Sequence, residues 1–323
     1  MKIYNKLILN SIWIVALFFG LNYSLETGII DGYYGGIIMI VCINIILAVS
    51  LNLIAGFTGQ LCLGHAGFMA VGAYSSAIIT GNLELPFFLA IIVAGLAAAL
   101  ISFIIGLPTL KLKGDYFAIT TLGVGEVIRG ILINIDYVGG PRGFRVLPET
   151  TFAWSFFLMI LTIVVVRNII TSVQGRNMIA IRENEIAAEA MGVNTPKFKV
   201  LAFAIAAFFA GVGGALYAHY NSFIDPGTFN FLKSIEILTF VVLGGMGSLT
   251  GTIIATVILT FLPEIFRDFQ DLRMVVYSVA LIAIMLFRPK GLMGDREISF
   301  AFLKKFTSGK KDKNKGGQIN AEG

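Results

Sequence analysis

The sequence predicts an all-α integral membrane protein with about ten transmembrane or re-entrant helical segments. Three observations predict it. The hydrophobic fraction is 57% and the charged fraction 13%, where a soluble domain is about 45–50% apolar and about 25% charged. The mean hydropathy is +0.85. Apolar runs close to the ~20 residues that cross a ~30 Å hydrocarbon core recur along the chain. A water-soluble chain of 323 residues with so few charges could not cover its surface. That excludes a cytosolic enzyme, a disordered chain and a nucleic-acid binder.

The candidate segments are 7–25, 35–55, 64–82, 87–107, 116–134, 152–170, 198–220, 234–249, 251–266 and 274–288. The first follows Lys2 and Lys6, as a signal peptide would. No small-residue cleavage site follows it, only Asn22–Tyr23–Ser24–Leu25–Glu26, so it reads as an uncleaved span.

With the N-terminus inside, the inner segments hold Lys2, Lys6, Lys111, Lys113, Arg167, Arg176, Arg182, Lys197 and Lys199. They also hold Arg288, Lys290, Arg296, Lys304, Lys305, Lys310, Lys311, Lys313 and Lys315. That is eighteen of the 24 basic residues, so both termini are expected to be cytoplasmic. The net charge of +5 is therefore a topology signal rather than a nucleic-acid surface. Residues 1–302 are expected to form the transmembrane domain. The tail 303–323, with its six lysines, is expected to be disordered and to lie against anionic lipid.

After segment 35–55, the stretch Gly56–Phe57–Thr58–Gly59–Gln60–Leu61–Cys62–Leu63–Gly64–His65–Ala66–Gly67 carries four glycines, enough to break a helix. Asn52, Thr58 and Gln60 supply polar groups near its cytoplasmic end. It is either a re-entrant stretch lining a path or a tight crossing through small residues. His65 reads as a hydrogen-bonded packing residue. In 116–134, Glu126 and Arg129 are spaced to share one helix face and pair. Intramembrane charges otherwise line a cavity, so contact with a zwitterionic amino acid is the alternative.

The largest inner loop, 171–197, pairs an apolar set (Ile179, Ile181, Ile186, Ala187, Ala190, Met191) with Arg182, Glu183, Glu185 and Glu189. It reads as one or two short amphipathic helices that stop near Gly192 and Asn194. It is either a solvated connector or a docking element for a cytoplasmic partner. Ala188 and Gly192 lie four apart, on one face if the segment is helical there. Segment 198–220 places Ala206, Ala210, Gly214 and Ala218 in one small-residue stripe, and Ala207, Gly211 and Ala215 in another. Segment 234–249 is interrupted by Gly244, Gly245 and Gly247, the kind of break that points to a transport path.

Catalytic signatures are missing. There is no G-x-x-x-x-G-K-[ST] phosphate loop, no H-E-x-x-H and no G-x-S-x-G. Two cysteines, Cys42 and Cys62, exclude a disulfide framework. No cofactor and no catalytic residue is expected.

Ala187–Ala188 followed by Gly192 resembles the E-A-A-x3-G loop by which ATP-binding-cassette importer permeases dock their ATPases. Ile186 stands where that pattern has Glu, and Glu185 falls one position early. Residues 50–80 (SLNLIAGFTGQLCLGHAGFMAVGAYSSAIIT), 114–144 (GDYFAITTLGVGEVIRGILINIDYVGGPRGF) and 175–252 resemble the branched-chain amino-acid permease family of LivM type. The resemblance implies ATPase coupling through Arg182, Glu183, Glu185, Ala187, Ala188, Glu189 and Gly192. The candidate path residues are Asn52, Thr58, Gln60, His65, Glu126 and Arg129. It also implies a second homologous permease, two cytoplasmic ATP-binding subunits, an extracytoplasmic substrate-binding protein, and leucine, isoleucine and valine as substrates. Urea and short-chain amide permeases are close relatives. An ion-coupled carrier would need intramembrane carboxylates, of which only Glu126 and Glu236 are candidates. A membrane-embedded enzyme would need a titratable cluster at one depth.

Overall fold

A computed structural model describes residues 15–16, 18–109, 112, 114–267, 275, 278–279, 281–282, 286–287 and 291–293. The lysine tail and the first residues of segment 7–25 lie outside them. The described residues are helical with one two-residue ribbon. The helices are α1 (Gly32–Ala55), α2 (His65–Gly81), α3 (Phe87–Thr109), α4 (Asp115–Asn134) and α5 (Phe152–Thr171). They continue as α6 (Val173–Glu183), α7 (Glu185–Ala190), α8 (Thr195–Asn221), α9 (Phe231–Gly244) and α10 (Leu249–Ile265). Residues 18–26 are also helical, and Phe18 stacks on Phe152 at 5.9 Å, joining that segment to α5.

Among the described residues five helices are long and apolar enough to cross a membrane: α1, α3, α4, α5 and α8. They match their expected segments within a few residues. The segment expected at 234–249 is shorter and earlier. α9 has 14 residues, so at ~1.5 Å per residue it spans only about 21 Å, short of a bilayer core. It stops because Gly245 and Gly247 take left-handed φ of 107° and 89°.

α1 is apolar on all sides and buried along its second half, as a central helix must be. α8 packs against α1, α2 and α3. Its two small-residue stripes are buried within this chain: Gly211 faces the backbone of Ala94, and Gly214 faces Met69 and Ala73. A Cβ on Gly72 would overlap the Gly211 backbone, so α2 and α8 cross with main chains in contact. α3 and α5 leave leucines and phenylalanines exposed, the surface a lipid-facing helix presents.

The connectors gather at two ends. At one end, Arg182 reaches Gly56 and Asn52 reaches Gly247. The amide of Leu292, after the last candidate segment, donates to the Leu243 carbonyl at 2.7 Å there. At the other end, β1 (Phe144–Arg145) pairs antiparallel with β2 (Phe223–Ile224), with Phe144 opposite Ile224.

Candidate functional site

The loop after α5 forms two helices because each has its own cap. The Ser172 hydroxyl accepts from the Gly175 amide at 3.3 Å and starts α6. The Asn184 carboxamide accepts from the Ala187 amide at 3.0 Å and starts α7. Gly192, at φ +85°, ends α7 in a left-handed turn. α6 is embedded along one face: Met178 and Ile181 are buried, and a Cβ on Gly175 would overlap the Ile169 and Ile170 carbonyls.

α7 is held from behind and open in front. Lys199 pairs with Glu185 at 2.7 Å, and the Thr195 hydroxyl donates to Glu189 at 2.6 Å, fastening α7 to the start of α8. Ala188 is only 5% exposed, whereas Ile186 is 73% and Met191 84% exposed. The expected common face of Ala188 and Gly192 does not form. α7 ends at Ala190, so Gly192 lies beyond the helical register and faces open space while Ala188 packs inward.

Asn52 is the centre of the opposite contact. Its Nδ2 donates to the Ser248 carbonyl at 3.0 Å and to Thr252 Oγ1 at 2.9 Å. Its Oδ1 accepts from the Gly247 amide at 3.0 Å. Both of its amide hydrogens and its oxygen are thus engaged by the turn between α9 and α10 and the first turn of α10. Above it, the Arg182 guanidinium donates from Nη1 to the Gly56 carbonyl at 2.9 Å. A cavity of about 270 Å³ lies beside this contact, lined by Phe57, Arg167, Ile179, Arg182, Gly247 and Leu249 among others.

The stretch 56–64 is non-helical and mostly buried. Irregular backbone is tolerated at membrane depth only when covered by protein. It is also a crossing point, since a Cβ on Gly64 would overlap the Thr121 carbonyl. Thr58 turns back to its own helix, donating to the Ile54 carbonyl at 2.5 Å. Gln60 Oε1 is buried with no hydrogen-bond partner among the described residues. His65 is fully buried with Nε2 3.0 Å from Ser50 Oγ. The Ser50 hydroxyl donates to the Leu47 carbonyl at 2.8 Å, so the imidazole supplies the proton between them.

Glu126 and Arg129 form an ion pair on α4, with Arg129 Nη2 2.7 Å from Glu126 Oε2 and each side chain 34% exposed. The other carboxylate oxygen accepts from the Phe231 amide at 3.2 Å, at the first turn of α9. Negative charge there complements the helix N-terminus. Asn52 meets the chain just past the other end of α9. At ~1.5 Å per residue the two polar groups stand roughly 20 Å apart. The structure therefore does not bring the six candidate path residues into one cluster.

Sequence reading passed over three further features. His219 is fully buried; its Nδ1 donates to the Ala215 carbonyl at 2.9 Å, and its Nε2 lies 2.9 Å from Thr80 Oγ1. Gly291, at φ +79°, lets residues 291–293 close on the end of α9. A cavity of about 760 Å³ opens at the ribbon end, lined by Thr80, Asn82, Glu84, Arg145, Glu149 and Ser222 among others. Glu84 and Ser222 take left-handed φ of 51° and 58° there. Long-range placement, not any local motif, makes each of these visible. Among the described residues no His, Cys, Asp and Glu cluster could hold a metal ion.

A helical core with lipid-facing flanks, glycine-broken segments and an amphipathic loop fastened at one end defines a multi-span membrane protein of transporter type. A family profile described as branched-chain amino acid transport system / permease component matches residues 33–287, and the chain belongs to that family. It is similar to the high-affinity branched-chain amino acid transport system permease protein LivM of Escherichia coli K12: 34% identical over 263 residues, 70% of this chain and 62% of that protein. It is 26% identical over 247 residues to the probable branched-chain amino acid transport permease protein LivM of Methanocaldococcus jannaschii, covering 67% of this chain and 71% of that one. It is also 31% identical over 126 residues to the permease protein LivH of E. coli K12, 38% of this chain and 41% of that one. The chain thus spans less than two thirds of the length of E. coli LivM. No solved structure matches it. Family and helices together make it a multi-pass protein of the inner membrane.

Proposed function

We propose that the chain is a permease subunit of an ATP-driven importer that moves leucine, isoleucine and valine across the cytoplasmic membrane. It works beside a second homologous permease, receives substrate from an extracytoplasmic binding protein, and takes its energy from two separate cytoplasmic ATPases. Alternating access then comes from rocking of helix bundles around a site near the midplane. The likeness to proteins named as branched-chain amino acid permeases supports the substrate class. The likeness to LivH supports a partner of the same family, because one sequence is similar to both named permeases.

The observation that carries the reading is α7. Ile186 and Met191 stand out from a short helix whose other side is fixed by Lys199 and Thr195. A rigidly mounted apolar anchor suits helix-in-groove docking. The test is uptake of radiolabelled leucine into vesicles holding the full set of subunits, competed by isoleucine, valine and urea. ATP-dependent uptake competed by isoleucine and valine alone is expected. Competition by urea but not by the amino acids would assign the chain to the amide-type relatives. Uptake driven by an ion gradient without ATPases would overturn the reading.

A further inference from the structure

We infer that Arg182 is the positioning residue that links the docking loop to the two non-helical breaks at its end of the molecule, an inference that rests on the permease reading above. The breaks are 56–64, after α1, and 245–248, between α9 and α10. Both turn on left-handed glycines: Gly59 at φ +70°, Gly245 at +107° and Gly247 at +89°. Such positions are where a backbone absorbs large φ/ψ changes at a hinge.

Arg182 lies against both breaks. Its Nη1 donates to the Gly56 carbonyl at 2.9 Å. Its Cγ lies 3.0 Å from the place a Cβ on Gly59 would take, and its Nη1 2.5 Å from the place a Cβ on Gly247 would take. Glycine at the first position gives room to the aliphatic stem, and at the second to the guanidinium. Glu183 orients the opposite edge, accepting from Nε at 3.1 Å and from Nη2 at 2.6 Å. A planar fork held on two edges is directed in a way that a lysine ammonium cannot reproduce. Beneath it, Asn52 near the end of α1 holds the second break through the Gly247 amide.

The loop can transmit a displacement because α6 is stiff. Ser172 caps it, Met178 and Ile181 bury it, and Gly175 packs without clearance on the end of α5. A load on Ile186 and Met191 is therefore passed to Arg182, two residues before the cap of α7. From there it reaches the carbonyl of Gly56.

The test uses the assembled transporter in lipid nanodiscs, with this chain free of Cys42 and Cys62. Leu61 and Met246, exposed residues of the two breaks, are changed to cysteine and spin-labelled, and their separation is measured with and without ATP. With Arg182 intact, the separation is expected to shift on ATP binding. In Arg182→Lys and Arg182→Ala the ATPases should still copurify, but the shift should vanish. Uptake should fall about tenfold or more, the scale of one charge-assisted hydrogen bond. Full uptake with an unchanged shift in Arg182→Ala would overturn the inference and leave the permease reading standing. Absence of copurifying ATPases with Arg182 intact would overturn the reading itself, and the inference with it. Should both variants fail to assemble, the unsubstituted chain decides: transport without any ATP-driven shift overturns the link.

Discussion

The side-chain oxygen of Asn52 accepts the backbone amide of Gly247 at 3.0 Å, joining the end of α1 to the turn between α9 and α10. The two residues are 195 positions apart. Asn52 is fully buried, its bonds to Ser248 and Thr252 are buried too, and its bond to Gly247 is part-buried. Asn52→Ala strands the Gly247 amide, and leaving one buried polar group unpaired costs about 1–3 kcal/mol. A lowered melting midpoint of the detergent-purified protein is expected for Asn52→Ala, and a larger drop for Asn52→Leu. An unchanged midpoint in both would show that this contact adds no stability.

Glycines on two helices should answer differently to one methyl group. A Cβ at Gly72 would overlap the Gly211 backbone, whereas Gly130 has nothing within 4 Å. Forcing extra volume into a packed contact costs about 1–3 kcal/mol, while alanine is about 0.5–1 kcal/mol better than glycine inside a helix. Gly72→Ala is expected to lower the melting midpoint and Gly130→Ala to hold or raise it. The reverse order would place the close crossing elsewhere.

The Glu126–Arg129 pair has a third member in the Phe231 amide. Glu126→Gln keeps an acceptor for that amide but loses the charge. Glu126→Leu loses both. Breaking a buried pair by removing one partner costs about 3–5 kcal/mol, and partial exposure at this site places the loss below that. Expression yield should fall in the order Glu126→Gln, then Glu126→Leu. Glu126→Gln combined with Arg129→Gln should recover part of the yield of the single Gln variant. Normal yield with abolished uptake in the double variant would favour contact with substrate instead.

Docking through α7 should depend on its outward residues. Ile186→Glu or Met191→Glu adds charge at an exposed apolar position and should release the ATPases on purification. Because Ala188 is buried, Ala188→Trp should lower the stability of the permease itself. Retention of ATPases by both glutamate variants would place the docking surface elsewhere.

Membrane sidedness can be read with single cysteines in a chain lacking Cys42 and Cys62. Leu83 and Met191 are both exposed and belong to opposite ends of the fold. An impermeant thiol reagent added to intact cells should label Leu83→Cys and spare Met191→Cys. Labelling of Met191→Cys alone would invert the arrangement.

Much of this was legible in residue order. The long helices α1, α3, α4, α5 and α8 are written as apolar runs, and a helix satisfies its backbone locally, so composition and length suffice. The Glu126–Arg129 pair was legible because three residues make less than one turn. The shared face of Ala188 and Gly192 was conditional on a helix running through both, and six residues of helix followed by a left-handed glycine do not keep that register.

The sequence by itself determined that the chain lives in a membrane, where its five long helices run and which loop is amphipathic, because hydropathy and helical period are properties of neighbouring residues. Tertiary structure alone decided that Arg182 meets Gly56, that Asn52 meets Gly247 and that Glu126 accepts the first amide of α9 rather than joining Asn52. These contacts link residues more than a hundred positions apart. They form because glycines let main chains approach closely enough for one side chain to bridge them, and nothing in local order encodes which chains will meet.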